Sequence, residues 1–218
     1  MLWESGVRHR LKPAAPDADP STGPLYAMIL KSFSRFPAFE SERAKALIVG
    51  EDLGTVEKKV RKQLAQAGVL SYRLLWFEDD SPAHFPKQAL SAVTTHDLPT
   101  IAGLWTGSDL DAQRKLGLNP NEAGLNGIRQ RLAAMTGLSN RAPIGKVIER
   151  TYRLLAQSPS VIVSATLDDA LGVEKRPNMP ATNESWPNWS LPLPKAQEDL
   201  ERSRLALSIA HALKRGGE

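Results

Sequence analysis

The chain has 218 residues, of which 41% are hydrophobic and 24% charged, the profile of a globular protein long enough to bury a sizeable core. Its 28 basic and 24 acidic residues are spread along the sequence and leave a net charge of only +4, so no concentrated basic footprint for nucleic acid emerges. There is no cysteine, which excludes disulfides, thiolate metal sites and a cysteine nucleophile.

No apolar run approaches the roughly 20 residues that span a bilayer, and the start, "MLWESGVRHRLKP", lacks the apolar centre of a signal peptide. The expected location is the cytoplasm. Residues 1–24 carry Pro13, Pro16, Pro20 and Pro24 without an apolar period and read as an irregular leader. Residues 25–44 have helical spacing at Leu25, Ile29, Leu30 and Phe33, interrupted by Pro37. "KALIVGED" (45–52) reads as a short buried strand. "TVEKKVRKQLAQAG" (55–68) follows as an amphipathic helix, with Val56, Val60 and Leu64 on one face, Thr55 as cap and Gly68 as stop. Further strands are predicted at 70–78, 89–97 and 160–169. Helices are predicted at 109–116, 120–136, 143–157 and 195–214, with a Pro/Asn/Trp-rich loop at 176–194.

Continuous apolar strands alternating with helices predict an α/β fold with a parallel sheet covered on both faces. Two architectures fit: a small doubly wound sheet, or part of a (β/α)8 barrel. The barrel is favoured because no GxGxxG or Walker stretch follows a strand. Polar chemistry also gathers at successive strand C-termini: Glu51-Asp52, Glu78, His96-Asp97 and Asp168-Asp169.

Carboxylates on neighbouring strand ends suit the cleavage of a sugar acetal. One carboxylic acid protonates the leaving oxygen while a carboxylate stabilises or attacks the developing oxocarbenium ion. Glu51 is the acid/base candidate, because the end of a buried strand desolvates a carboxyl group and raises its pKa. Structural roles compete at each position. Asp97 precedes Leu98-Pro99 and reads equally well as a helix N-cap. Glu51 or Asp52 would cap the next helix, with Asp52 the more structural of the two. His96 taken alone reads as a core histidine, and His84 and His211 as surface residues. Trp76, Trp105, Trp186 and Trp189 suit either packing or stacking on sugar, and packing is favoured for Trp76. No residues have metal-ligand spacing.

Three segments together resemble one family. "ESERAKALIVGEDLGTV" (40–56), "SAVTTHDLPTIAGLW" (91–105) and "LDDALGVEKRPNMPATNESWPNW" (167–189) are similar to the 4-α-glucanotransferases, or amylomaltases, of glycoside hydrolase family 77. The resemblance covers about residues 25–214 and implies the C-terminal half of a (β/α)8 barrel, strands five to eight, as one catalytic region over 25–218. It implies transfer of α-1,4-glucan segments to the 4-hydroxyl of an acceptor glucan by a retaining double displacement, with no cofactor or metal. Glu51 falls on the family's acid/base and Asp97 on its transition-state stabiliser. His96 and Asn178 fall on sugar contacts, and Trp189 joins the substrate-binding set. The family's N-x-P-G-T loop reads "NMPAT" here, so Ala181 replaces a glycine; if that position needs positive φ, alanine strains the loop. The family's nucleophile lies in an R-x-D-H stretch that this sequence does not contain. The expectation is a chain inactive by itself, acting on glucan donor and acceptor with a complementing N-terminal half. The competing readings are a non-catalytic glucan-binding fragment and an unrelated α/β domain.

Overall fold

The computed structural model describes residues 38–54 and 56–214. The expected leader, the first part of the expected 25–44 helix and the Thr55 cap lie outside them. The described residues fall into two units that divide between Ile48 and Val49. In the first, residues 38–44 form a helix, α1, ending at Lys45 with φ +51°. The exposed Arg43–Glu40 pair along it, at 2.7 Å, is of a type worth at most about 1 kcal/mol.

The second unit opens with strand β1, Val49–Gly50, followed by helix α2, Lys58–Gln66, and strand β2, Leu70–Leu74. A single 3₁₀ turn, Pro82–His84, leads to β3, Ala89–Ala92. Four helices then cross over to β4, Ile162–Val163: α3 (Ile101–Thr106), α4 (Ser108–Lys115), α5 (Glu122–Thr136) and α6 (Ile144–Leu155). The unit closes with α7 (Leu167–Ala170), α8 (Gln197–Glu201) and α9 (Arg204–Leu213).

All four strands are parallel and lie in the order β1-β2-β3-β4. Each strand pairs with the one before it in sequence. A doubly wound sheet reverses its strand order at a switch point, whereas a barrel never does. Among the described residues the order shows no reversal, as a stretch of barrel requires.

The strands are shorter than their apolar runs. The 70–78 run stops as a strand at Leu74, where the amides of Phe77 and Glu78 both turn back to the Leu74 carbonyl. Leu75 and Trp76 remain apolar because they are core residues, each 2% exposed, in a turn rather than a strand. Packing is indeed the role of Trp76, whose Nε1 donates to the Pro99 carbonyl at 2.9 Å. Beyond β3, Val93 is likewise buried. Burial, not extended backbone, sets the length of an apolar run.

The core lies among these turns and α3, α5, α6 and α9, with Trp76, Val93, Trp105, Leu132, Ile148 and Ile209 in one cluster. α6 buries Val147, Ile148, Thr151, Tyr152 and Leu155, a single stripe at helical spacing, as its sequence predicts. α2 begins three residues later than expected, with Glu57 at the N-cap and no side-chain cap bond. Arg61 organises its approach instead, donating to the carbonyls of Asp52 at 2.9 Å and Gly54 at 3.1 Å. Gly68, at φ +74°, stops it as expected. The expected 195–214 helix is two helices, broken at Arg202 and Ser203, where the Ser203 side chain caps α9.

The expected polar strand end at Asp168-Asp169 is instead the first turn of α7. Asp169 is fully buried and accepts from the Tyr152 hydroxyl at 2.8 Å and the Ile101 amide at 3.0 Å, tying α3, α6 and α7 together. Burial pushes its carboxyl above the usual range, and these hydrogen bonds pull it partly back. Its role is structural.

Candidate active site

The C-terminal edge of the sheet carries the candidate residues. After β3 the chain makes a tight turn, with the Leu98 amide bonded to the Thr95 carbonyl at 3.2 Å and the Asp97 amide to Thr95 Oγ1 at 3.3 Å. The turn brings His96 and Asp97 to the rim, with side chains 51% and 48% exposed. His96 is therefore not a core histidine. Asp97 is not an N-cap either: α3 is capped by Thr100, whose Oγ1 accepts from the Gly103 amide at 3.0 Å. The Asp97 carboxylate is left for other work.

The 176–189 loop closes over this turn. Asn178 Nδ2 donates to Asp97 Oδ1 at 2.6 Å, and the Asn178 amide to the His96 carbonyl at 3.3 Å. His96 Nε2 lies 3.4 Å from the same Asp97 oxygen. The Trp189 ring leans on the His96 ring, with centroids 4.8 Å apart and planes tilted by 49°. Four of the five sequence-predicted residues thus form one contiguous group.

Trp189 is 67% exposed and sits at φ +60°, a conformation rare for a bulky residue. Its amide is held by the Pro177 carbonyl at 2.9 Å. An exposed aromatic in a strained backbone, held against a histidine, is a feature that clusters at functional sites. Trp186 is half-buried, with Nε1 bonded to the Arg176 carbonyl at 3.2 Å.

Glu51, directly after β1, reaches the same edge two strands away. Neighbouring strands are ~4.8 Å apart, which sets β1 and β3 roughly 10 Å apart. Among the described residues no hydrogen bond or ion pair joins Glu51 to Asp97. Glu51 is exposed, which corrects the sequence expectation of a buried strand end. Only two residues of that run are extended, so the desolvation assumed there is not provided by the described residues. Its negative charge adds to burial in holding the Tyr72 phenol above its ordinary value, burial being the larger cause.

Asp52 behaves oppositely. It is 5% exposed and accepts from Ser71 Oγ at 2.7 Å and the Tyr72 amide at 2.9 Å, with Arg61 Nε at 3.5 Å. It ties the end of β1 to β2 rather than capping α2. Beside it lies a cavity of about 440 Å³, bounded in part by Arg61, Tyr72, Arg73, Phe77 and Glu78. The Glu78 carboxylate takes a 3.0 Å bond from Arg73.

Three residues that sequence reasoning passed over build the rim. Arg176 and Asp109 form a buried pair, 5% and 4% exposed, in which Arg176 Nε donates to Asp109 Oδ1 at 2.6 Å and Nη2 to Oδ2. Arg176 Nη1 donates to the Asp97 carbonyl at 2.7 Å. Asn188 holds the loop from within, accepting from the Met179 amide at 2.8 Å and donating to Thr182 Oγ1 at 3.0 Å. A lone arginine in a Pro-rich loop and an acid in a helix's first turn both read as solvent-facing, so the sequence carries no local signal for the pair.

Ala181 has φ +63°, so the position that the resemblance matches to a glycine does occupy a left-handed conformation. That conformation costs an L-residue about 1–2 kcal/mol, part of which glycine returns as chain entropy in the unfolded state. Ala181→Gly should therefore stabilise the protein by about 0.5–1 kcal/mol. A urea midpoint unchanged or lowered would contradict this.

The His84 and Asp80 side chains pair on the surface at 2.9 Å. Among the described residues no three His, Asp or Glu side chains group to hold a metal ion, and no helix is long and apolar enough to cross a membrane.

A family model described as 4-alpha-glucanotransferase, glycoside hydrolase family 77, matches residues 16–197. The chain belongs to this family. A 4-alpha-glucanotransferase of Mycobacterium tuberculosis (strain ATCC 25618 / H37Rv) is 37% identical over 204 residues, covering 81% of this chain and 28% of the relative. One from Haemophilus influenzae is 29% identical, covering 70% and 25%. The chain thus spans less than a third of the curated relatives it matches. Among solved structures, amylomaltase from Corynebacterium glutamicum superposes with a TM-score of 0.72 at 31% identity, over 82% of this chain and 30% of that one. Amylomaltase from Streptococcus agalactiae, solved in complex with acarbose, shares the fold at 20% identity and a TM-score of 0.55, over 81% and 34% of the two chains. With the unreversed parallel sheet, these matches make the family 77 chain a partial (β/α)8 barrel.

Proposed function

We propose that this chain carries the acid/base and sugar-gripping part of a 4-α-glucanotransferase site within its 25–218 region. The observation that carries the reading is the Asp97 carboxylate, held by Asn178 at 2.6 Å and flanked by His96 under the exposed Trp189. An N-cap would spend that carboxylate on backbone amides; here it faces the rim with a polar and an aromatic neighbour, the combination that grips sugar hydroxyls and a sugar face.

In the reaction, Glu51 protonates the glycosidic oxygen of the donor glucan as a carboxylate nucleophile takes C1. Asp97 stabilises the positive charge that develops at the sugar, while His96, Asn178 and Trp189 bind it. Glu51, now ionised, then accepts the proton from the acceptor's 4-hydroxyl as that oxygen displaces the nucleophile. The residues given contain no R-x-D-H stretch, so the nucleophile of this step is not assigned to any of them. The partners are α-1,4-glucan donor and acceptor, and the compartment is the cytoplasm, where a chain without cysteine needs no oxidising environment.

Three measurements test the reading. The purified 218-residue chain should release no glucose from maltotriose, and robust release would show that one of its own residues serves as the nucleophile. The chain should bind maltotetraose, with Asp97→Ala weakening binding about tenfold, the scale of one lost charge-assisted contact. A folded chain without maltotetraose binding would refute the assignment of a sugar-gripping role to Asp97; the unrelated α/β domain is already set aside by the family match over residues 16–197. A second reading, a glucan-binding fragment without catalysis, needs the same Asp97, Asn178 and Trp189 group but not Glu51. Glu51→Gln distinguishes it, because an N-terminal half that restores turnover to the wild type should restore none to this variant.

A further inference from the structure

The Arg176–Asp109 pair does something a hydrocarbon contact cannot. Replacing a buried ion pair by well-packed apolar residues of similar volume is often neutral or stabilising, so net stability does not by itself account for it. What charge adds here is a third, directional bond. The Arg176 fork occupies both Asp109 oxygens and still sends Nη1 to the Asp97 carbonyl at 2.7 Å. Asp109 is anchored in turn, on the first turn of α4, and also accepts from Gln113 at 2.8 Å.

We propose that Arg176 and Asp109 are positioning residues for Asp97, setting the main chain of the His96-Asp97 turn relative to Asn178. This rests on the reading of Asp97 as the residue that grips sugar. The geometry is a clamp along residues 174–178. The Glu174 carbonyl accepts from Thr100 Oγ1 at 3.2 Å, Arg176 binds the Asp97 carbonyl, and the Asn178 amide binds the His96 carbonyl. Only with the main chains in this register does Asn178 Nδ2 meet the Asp97 carboxylate at 2.6 Å. The fork thus acts on the carboxylate through the backbone, two residues from the side chain that touches it.

The test uses the full chain and two variants. Arg176→Met/Asp109→Leu removes both charges and keeps most of the volume. Arg176→Lys keeps the ion pair but loses the planar fork that serves Asp109 and Asp97 together. The readout that a merely structural role would not move is the Asn178 side-chain amide in a ¹⁵N–¹H spectrum, expected to be shifted and protected in the wild type by its 2.6 Å bond to Asp97. Both variants should keep a cooperative unfolding transition. Both should exchange the Asn178 amide about tenfold faster or more, and bind maltotetraose about tenfold more weakly, the scale of one charge-assisted hydrogen bond. Wild-type Asn178 exchange in a folded variant would overturn the proposal, and so would unfolding of both variants, since the pair would then be a stability element. If the wild type binds no maltotetraose, the sugar reading fails, while the Asn178 signal still decides whether the pair sets the Asp97 turn.

Discussion

Arg176→Ala is expected to destabilise the second unit by about 3–5 kcal/mol, because it leaves the Asp109 carboxylate buried without its counter-charge. Asp109 is 4% exposed, so water has little access to replace the guanidinium. Gln113 remains as a neutral donor at 2.8 Å and offsets only part of the loss. Asp109→Ala should cost a similar amount by stranding Arg176, which is 5% exposed. The two losses should not add. Removing both charges removes the stranded partner, so the double-mutant cycle should show a coupling of a kcal/mol or more. Urea denaturation of the four proteins checks this, and strictly additive costs would mean that the two side chains do not act as a pair. Surface ion pairs in the same molecule provide the contrast: Arg114, half exposed, reaches Asp111 at 3.2 Å and Glu122 at 2.8 Å, a type of contact worth at most about 1 kcal/mol.

The second large effect has a sign that sequence rules invert. Gly103 lies inside α3, where alanine is the better helix former by about 1 kcal/mol. By propensity alone, Gly103→Ala should stabilise. A Cβ at this position would, however, stand 2.4 Å from the Glu174 carbonyl oxygen and 3.2 Å from Thr100 Oγ1. The nearest of these is backbone and has no rotamer to escape into. Gly103→Ala should therefore destabilise by about 1–3 kcal/mol through overpacking. Because the obstructing carbonyl begins the 174–178 clamp, the variant should also disturb the Asn178 amide signal. A stabilised Gly103→Ala protein with an unmoved Asn178 signal would show that α3 and this segment do not approach so closely.

Much of the candidate site was legible from short motifs. "GEDLG" separates two adjacent acids into a proton-donor candidate and a structural one, and Asp52 does hold its turn, although by bonding Ser71 and Tyr72 rather than by capping α2. His96 and Asp97 lie 81 to 93 positions from Asn178 and Trp189 in the chain, and the four meet at one rim. Glu51 is exposed rather than buried for a definite reason. The run "ALIV" looks like a core strand, yet only Val49 and Gly50 extend, and both are half-buried. The cap alternative for Asp97 was undecidable from sequence because Thr100, three residues on, is an equally good cap; only the bond from Gly103 to Thr100 Oγ1 resolves it.

The sequence by itself determined the residue types, their order and the alternation of apolar runs with an amphipathic helix. That was enough to assign a parallel α/β chain and the family, because motifs and periodicity are local properties. Only the tertiary structure decided how far each strand runs, which acid is spent on folding and what holds Asp97. These depend on contacts across 67 to 81 positions, such as Arg176 to Asp109 and Asn178 to Asp97. Such partners leave no periodic trace, since a buried ion pair looks locally like two ordinary surface charges until the fold removes the water between them.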